Sequence, residues 1–442
     1  MAVTYARRLG LFSGTMSVIG GIIGAGIFLN PSIVAQRVGT PAATIGVWVG
    51  GGLVALIGAF IFGELGQRRP KVGGGYAYLR EAFGPFPAFL YAWALLLIIA
   101  PGAIAAVAVT AGNYGAALFG VSSEVARPAA VTAILLLTLV NCLGVTFGAV
   151  TQNIFTVLKL AAIGMVVVAG LFALGNPAPA CLDCAAPVVP VGGGAMIGAV
   201  AAALVPVLFS YGGWQQTNFI AEEIIEPEKN LPRALVLGVV MVVLVYVLAN
   251  AAYLGALGVA GLAASSAPAA DTMEVLLGPA GRMVITAGIV FSTFGFLNLV
   301  ILVTPRVFQA MAADGLFFER FARLHPKFRT PVPAIIFLGV WSAILVYSGK
   351  YGALLDYVVF ADWIFFGLTA LTLVVFRRRD GMAGVRFSVP AFPLAMAVFV
   401  GVAGYVVVGS ILSNPGNAVR GAGLLALGLP VYLYWRSAGI RA

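Results

Sequence analysis

The sequence has few charged residues. Asp, Glu, Lys and Arg occupy 9% of its 442 positions, whereas soluble domains carry about 25%. Apolar residues reach 61%, and the mean hydropathy is +1.05. These values exclude an ordinary soluble protein and predict an all-α polytopic membrane protein. We expect no cleavable signal peptide, because the first apolar run is too long for one.

Cysteine and histidine are also scarce. Three cysteines and one histidine exclude a disulfide framework and predict neither a metal site nor a cofactor. Cys181 and Cys184 lie in a predicted outer loop, where a local disulfide and a labile reduced pair remain open alternatives. His325 lies in a basic loop without a Ser/His/Asp set or a phosphate-binding loop. The sequence therefore argues against a membrane enzyme.

Apolar runs alternate with polar or Gly/Pro breaks along the whole chain. Their lengths predict about twelve transmembrane helices. We expect these spans near 11–38, 43–66, 85–112, 127–143, 147–174, 194–222, 231–258, 281–311, 331–348, 352–376, 389–412 and 419–436.

The net charge of +10 has a topological explanation and does not indicate a nucleic-acid partner. Most lysines and arginines fall in loops on one predicted side of the membrane, which the positive-inside rule makes the cytoplasmic side. The exceptions are Lys159, inside a span, and the outer residues Arg37, Arg127, Arg282, Lys350 and Arg420. We therefore expect a multi-pass protein of the cell inner (plasma) membrane, with the lipid bilayer as a partner and both termini cytoplasmic.

Four glycines crowd the middle of the first span, within 20–26. Each costs roughly 1 kcal/mol of helix propensity relative to alanine. Such a span is prone to break at mid-membrane depth, where bare peptide groups must face protein, water or a ligand. For this cluster alone, close helix packing through Gly20 and Gly24 is the better explanation, and only a second cluster later in the chain favours a break.

A second cluster, Phe209–Gln216, interrupts the sixth span with two glycines and several polar residues. Pro206 lies one turn earlier and lacks a helical donor. The two predicted breaks are five spans apart, so a repeat of five helices would be inverted in the membrane. Paired broken helices are the best sequence indication of a transporter binding site at the midplane.

Broken helices present free N–H groups at one new end and free C=O groups at the other. An amino acid zwitterion matches this arrangement. Donors near 23–27 can bind its carboxylate, and carbonyls near 20–21 and 209–211 can bind its ammonium group. Neither break carries a charged side chain, which argues against a site built on a salt bridge.

These residues resemble the amino acid–polyamine–organocation (APC) superfamily, and within it the L-type amino acid transporter branch. The pattern Gly-x-Ile-Ile-Gly-x-Gly-Ile-Phe at 20–28 is similar to that of the whole superfamily, and 209–214 with 230–233 resemble the L-type branch. The resemblance implies the leucine-transporter fold. Its inverted five-helix repeats would occupy 11–174 and 194–376, with two additional C-terminal helices in 389–436.

The resemblance also implies roles for single residues. The carboxylate site would be Ile23, Gly24, Ala25 and Gly26, and the ammonium site the backbone around Ile22, Phe209, Ser210 and Gly212. Phe209 would also be the gate over the substrate, and Gln215 a polar pocket residue. Because Ser210 and Gln215 are neutral, cationic substrates are in doubt and small or medium neutral ones are favoured.

Lys159 lies inside the fifth span, where a lysine costs about 2.5–3.5 kcal/mol on insertion scales. Snorkelling to the interface is the alternative to a functional role. In sodium-coupled proteins with the leucine-transporter fold that the resemblance implies, the sodium ion bridges the first and eighth spans. The Lys159 ammonium would replace it, contacting carbonyls at the first break and hydroxyls such as those of Ser292 and Thr293. Tyr253 matches a tyrosine that members of the resembling family place near this lysine and the site. Without that match it would be read as an interfacial or core aromatic.

The resemblance thus predicts a sodium-independent antiporter that exchanges small or medium neutral L-amino acids by alternating access. A proton-coupled importer and a transporter-like amino acid sensor remain alternatives. A channel is disfavoured, because polarity is confined to the two breaks. L-type light chains join a heavy chain through a cysteine after the third span. The loop 113–127 has no cysteine, so we expect no disulfide-linked heavy chain.

The remaining carboxylates within or beside spans need partners. Glu64 is expected to pair with Arg68 at i+4. Glu222 and Glu223 are expected to pair with Arg233 or other inner-loop cations. Asp356 and Asp362 lie in the tenth span, and the sequence assigns neither a partner nor a role.

Overall fold

The computed structural model describes residues 5–173, 193–348, 351–413 and 415–439. Cys181, Cys184 and Lys350 lie outside these residues, as does the side chain of Asp356. The described chain is helical throughout, and its one β-type contact is a single bridge between Leu9 and Ile224. The α-helices are α1 (Leu11–Ile22), α2 (Gly26–Val38), α3 (Pro41–Arg68), α4 (Gly75–Phe83), α5 (Pro85–Ala94), α6 (Ala100–Phe119), α7 (Ala126–Cys142), α8 (Val145–Ala173), α9 (Gly193–Tyr211), α10 (Pro227–Ala264), α11 (Pro268–Val303), α12 (Pro305–Ala313), α13 (Glu319–Ala322), α14 (Val332–Ser348), α15 (Tyr351–Asp380), α16 (Phe392–Ser413), α17 (Pro415–Ala426) and α18 (Gly428–Gly439).

Ten helical stretches in the described residues are long and apolar enough to cross a membrane, and α1 with α2 forms an eleventh, bent span. The predicted ninth span coincides with a shorter apolar helix, Val332–Tyr347. The all-α polytopic architecture is thus confirmed. The count of twelve spans remains a prediction.

Two helices extend well beyond their predicted ends. Helix α10 continues past Gly258, which has φ 65° and ψ 174°, and α11 begins thirteen residues before its predicted start and bends at Gly278, with φ 68°. Glycine tolerates a positive φ without a Cβ clash. The chain can therefore turn sharply at each position and resume a helix where hydropathy predicted only a loop.

Small residues allow the spans to pack closely. Helix α3 packs along α10, and α8 packs along α11. A β-carbon on Gly288 of α11 would lie 2.5 Å from the Ala162 β-carbon of α8, and one on Gly238 of α10 would lie 2.5 Å from a methyl group of Val18. Such contacts bring backbones together where lipid supplies no hydrophobic driving force.

One end of the bundle, called here the basic end, carries buried ion pairs. Glu64, fully buried, accepts from Arg68 Nε and Arg377 Nε, both at 2.9 Å. The expected pair with Arg68 is confirmed, and Arg377 joins it. Glu223 pairs with Arg306 at 2.8 Å, both side chains being 0% exposed. Glu223 thus pairs with Arg306, on α12, and not with Arg233.

We expect Arg306→Met to destabilise the protein strongly, because it leaves the Glu223 carboxylate buried without a partner. Breaking a buried pair costs about 3–5 kcal/mol, which should appear as a lower midpoint of thermal unfolding in detergent. The double variant Glu223→Gln/Arg306→Met should recover most of the loss. Arg323→Gln, in an exposed pair, should melt like wild type. A wild-type midpoint for Arg306→Met would contradict this reasoning.

Candidate functional site

The first span breaks where its glycines cluster. Helix α1 ends at Ile22, α2 begins at Gly26, and their axes differ by 43°. Ile23 between them is extended, with φ −75° and ψ 91°. The first amides of α2 have no helical carbonyl in front of them, and no side chain caps this end. The break therefore presents bare N–H groups beside the partial positive charge of a helix N-terminus.

The sixth span breaks at its own glycines. Helix α9 ends at Tyr211, and a 3₁₀-helix, Trp214–Glu223, continues the span. Gly213 joins them with φ 114°, a value that strains any residue with a β-carbon. Its amide donates to Gln215 Oε1 at 3.1 Å. Gln215, predicted as a pocket residue, thus also supports the turn.

The two breaks lie against each other. A β-carbon on Gly213 would overlap the carbonyl oxygen of Gly21, and one on Gly26 would lie 2.5 Å from Ser210 Oγ. The Tyr246 hydroxyl lies 3.2 Å from both the Ile22 and the Ser210 carbonyl oxygens. One side chain of α10 therefore fixes the end of α1 to the end of α9.

A cavity opens beside the crossing. Its wall includes all but one of the nine predicted substrate-binding residues, namely Ile22, Gly24, Ala25, Gly26, Phe209, Ser210, Gly212 and Gln215. Ile23 is not in this wall. Its carbonyl instead faces Lys159. The described residues contain no cluster of His, Cys, Asp and Glu able to hold a metal ion.

Lys159 binds the first break from behind the cavity. Its Nζ donates to the carbonyl oxygens of Gly20, at 3.1 Å, and Ile23, at 2.6 Å. The side chain is 0% exposed, so it does not snorkel. On its other side lies α11, where a β-carbon on Gly295 would approach Nζ to 3.3 Å. The ammonium group thus lies between the first and eighth spans.

The other residues predicted around Lys159 make different contacts. The Thr293 hydroxyl bonds to its own helix, at 3.0 Å from the Ile289 carbonyl oxygen and 2.7 Å from that of Val290. Ser292 Oγ and the Tyr253 hydroxyl are buried without a hydrogen-bond partner in the described part of the chain. The expected hydroxyl contacts of Lys159 are therefore wrong in this structure, because carbonyls alone accept its hydrogen bonds.

Sequence reasoning missed Tyr246 and Asn30. Asn30 Nδ2 donates to the Pro206 carbonyl, at 2.9 Å, and to Ser210 Oγ, at 2.8 Å. Tyr246 lies two helical turns before Tyr253 on α10. A polar group in an otherwise apolar span was the available signal for both, but their partners are more than 30 residues away in sequence.

Two prolines free carbonyls near the cavity. Proline lacks the N–H that would bond to the carbonyl four residues earlier. For Pro206 that carbonyl belongs to Ala202, and Arg37 donates to it. For Pro101 it belongs to Leu97, and Trp341 Nε1 donates to it at 3.2 Å.

The Pro101 region has a further consequence for the cavity. The third span winds into a π-helix, Leu95–Ile99, just before this proline. Leu95 and Ile99 both line the cavity. A π-bulge of this kind is common at functional sites.

We expect Gly213→Ala to lose most transport activity, because its β-carbon would meet the Gly21 backbone at a φ that alanine adopts only with strain. A left-handed conformation costs roughly 1–2 kcal/mol before any clash. Gly198→Ala, on the same span with open space around it, is the matched control. Uptake by proteoliposomes at equal reconstitution measures both, and equal activities would contradict the geometry.

The chain was compared with known proteins. A profile of the amino acid permease family matches residues 9–428. The human b(0,+)-type amino acid transporter 1 is 33% identical over 415 residues, which cover 92% of this chain and 83% of that protein. The human large neutral amino acids transporter small subunit 2 is 32% identical over 451 residues, covering 98% and 82%. These matches confirm the resemblance to the APC superfamily and its L-type branch. The chain belongs to the amino acid permease family, whose members are membrane transporters and not enzymes.

Proposed function

We propose that this chain is a sodium-independent antiporter that exchanges small or medium neutral L-amino acids by alternating access. The observation that carries the proposal is the cavity shared by the two helix breaks. It offers peptide donors and acceptors side by side, which an amino acid zwitterion requires, and both named relatives are amino acid transporters.

The substrate carboxylate would lie at the N-terminus of α2, within the segment from Ile23 to Gly26. The Ile23 and Gly24 amides donate to carbonyls at the end of α1, so the amides left for the carboxylate are those of Ala25 and Gly26, at the positive end of the helix dipole. A carboxylate there gains charge-assisted hydrogen bonds without any basic side chain in the cavity.

The substrate ammonium group would lie on carbonyls of the opposite helix ends, at Ile22 and at Phe209 to Gly212. The Tyr246 hydroxyl lies between the Ile22 and Ser210 carbonyls and has one hydrogen to donate, so each carbonyl keeps at least one lone pair for the ammonium group. The Phe209 side chain, which lines the same cavity, would close over the bound molecule.

Lys159 would serve in place of a coupling cation. It binds two carbonyls of the first break and lies against Gly295 of α11, the position between first and eighth spans that we assign to a sodium substitute. A fixed ammonium group would keep the break in shape without an ion from solution. Release of its proton is the basis of the alternative, proton-coupled import, because a buried ammonium without a counter-ion is costly.

The chain would contain two inverted repeats, with both termini in the cytoplasm and no disulfide-linked partner. We assign 11–174 and 194–376 to inverted repeats because a broken helix opens the first and recurs early in the second. We assign the basic end to the cytoplasm of a cell membrane, with both termini there. No cysteine occurs in 113–127, so the chain would act without a disulfide-linked partner, which non-reducing electrophoresis tests.

We expect trans-stimulation in proteoliposomes. Internal unlabelled alanine should raise the initial entry rate of labelled alanine several-fold over empty vesicles, and replacing sodium with choline should not lower it. The reason is that an exchanger returns to its starting state only with substrate bound. Equal rates in loaded and empty vesicles would overturn exchange. Accumulation driven by an imposed pH gradient alone would favour the proton-coupled importer.

We expect Lys159→Ala to reduce exchange at least about tenfold, because the Gly20 and Ile23 carbonyls lose their donor and a buried charge-assisted bond is worth about 1.5–3 kcal/mol. Unfolding midpoints in detergent check that the variant folds. Lys229→Ala, an exposed lysine, is the matched control and should exchange normally. Full activity of Lys159→Ala would remove Lys159 from the mechanism.

A further inference from the structure

One carboxylate enters the cavity from a wall that the broken helices do not form. Asp362 lines the cavity together with Trp363 and Phe366, all on one side of α15. Helix α15 packs against α6 and the π-helix of the third span. Asp362 therefore faces the cavity from the α6 and α15 side.

Asp362 is the only charged residue in the described lining of this cavity. Within the described ranges it forms no ion pair and no hydrogen bond through its side chain. The described lysines and arginines are absent from the lining, and Lys159 lies behind the first break. A carboxylate at membrane depth is costly without a partner, and a cation bound in the cavity would supply one.

The two ends of an amino acid are already accounted for at the breaks under the proposed function. What remains to face α15 is the substrate side chain. A side chain with a positive charge would give Asp362 the ion pair that the described part of the chain does not supply. The charge of that pair would be shielded from lipid by Trp363 and Phe366, which are 2% and 3% exposed.

We propose that Asp362 is a specificity-determining residue that binds the positively charged side chain of a basic amino acid. The inference rests on the proposed function and widens its substrate class, since Ser210 and Gln215 had favoured neutral substrates alone. The acidic group of the pocket comes from the tenth span and not from the sixth-span break. An acidic side chain would be repelled from the same position.

Arginine and citrulline provide the test, because they differ mainly by the charge of the side chain. Ligand-induced shifts of the unfolding midpoint in detergent report binding without requiring transport. Wild type should bind arginine at least about tenfold more tightly than citrulline, the ratio expected from one charged hydrogen bond. Asp362→Asn should abolish this preference while keeping the citrulline shift, and Asp362→Glu should restore part of it.

Glu319→Gln removes an exposed carboxylate outside the cavity and is the matched control for net charge, so it should keep the arginine preference. Wild-type protein that binds arginine no better than citrulline would overturn the inference. So would an Asp362→Asn variant that loses both ligands equally, since Asp362 would then serve the ammonium group common to all substrates.

Alanine exchange, measured in parallel, separates the two proposals. If alanine is exchanged but arginine is not preferred, only the inference about Asp362 is wrong. If the arginine preference depends on Asp362 but no exchange occurs, only the antiporter proposal is wrong.

Discussion

A helix that breaks inside a membrane must find partners for its bare peptide groups, and the rest of this structure follows from that constraint. At the two breaks, the acceptors are largely matched by the protein. Lys159 donates to the carbonyls of Gly20 and Ile23, and the single hydroxyl proton of Tyr246 is shared between those of Ile22 and Ser210. The first amides of α2 have no such partners. The site is therefore biased toward an anionic group at α2, which is the end where a carboxylate would bind.

The main energetic cost of the broken first span is the burial of one charged group, the Lys159 ammonium. Lys159 has carbonyl partners but no counter-ion within the described residues, so its stabilisation comes from the negative dipole end of α1 and from bonds to neutral oxygens. Gly295 leaves the room that the ammonium group needs. A charge held in this way binds the fifth span to the break of the first, beside the eighth span, without an ion from solution. A bound ion would do the same only while it stayed, which is why a fixed lysine fits a carrier that does not depend on sodium.

The breaks and the lysine could be predicted from sequence because each is a local anomaly. Four glycines near 20–26 lower helix propensity, and a lysine in an apolar run is costly to place in a membrane. Both costs hold whichever way the helix faces. The partners could not be predicted, because the spans are apolar on all sides and the sequence does not show which face turns inward. Tyr246 and Asp362 became meaningful only once α10 and α15 were placed. The predicted ends of two spans were wrong near Gly258 and Gly278. A hydropathy profile does not show that a glycine can turn the chain, and at both positions a further helical segment lies beyond the turn.

Two walls of the cavity are held in place by different interactions. This difference would separate recognition of the amino acid backbone from recognition of its side chain. The wall of α1, α2 and α9 is fixed by hydrogen bonds to backbone, including those from Tyr246 and Asn30. Under the proposed function this wall would recognise the carboxylate and ammonium groups that all amino acids share, so side-chain changes there would disturb the break itself. The wall of α6 and α15 consists of unbroken helix at the cavity, and Trp341 donates to the carbonyl that Pro101 leaves free. Substitutions on this second wall can alter substrate choice without disturbing the breaks, and Asp362 lies there.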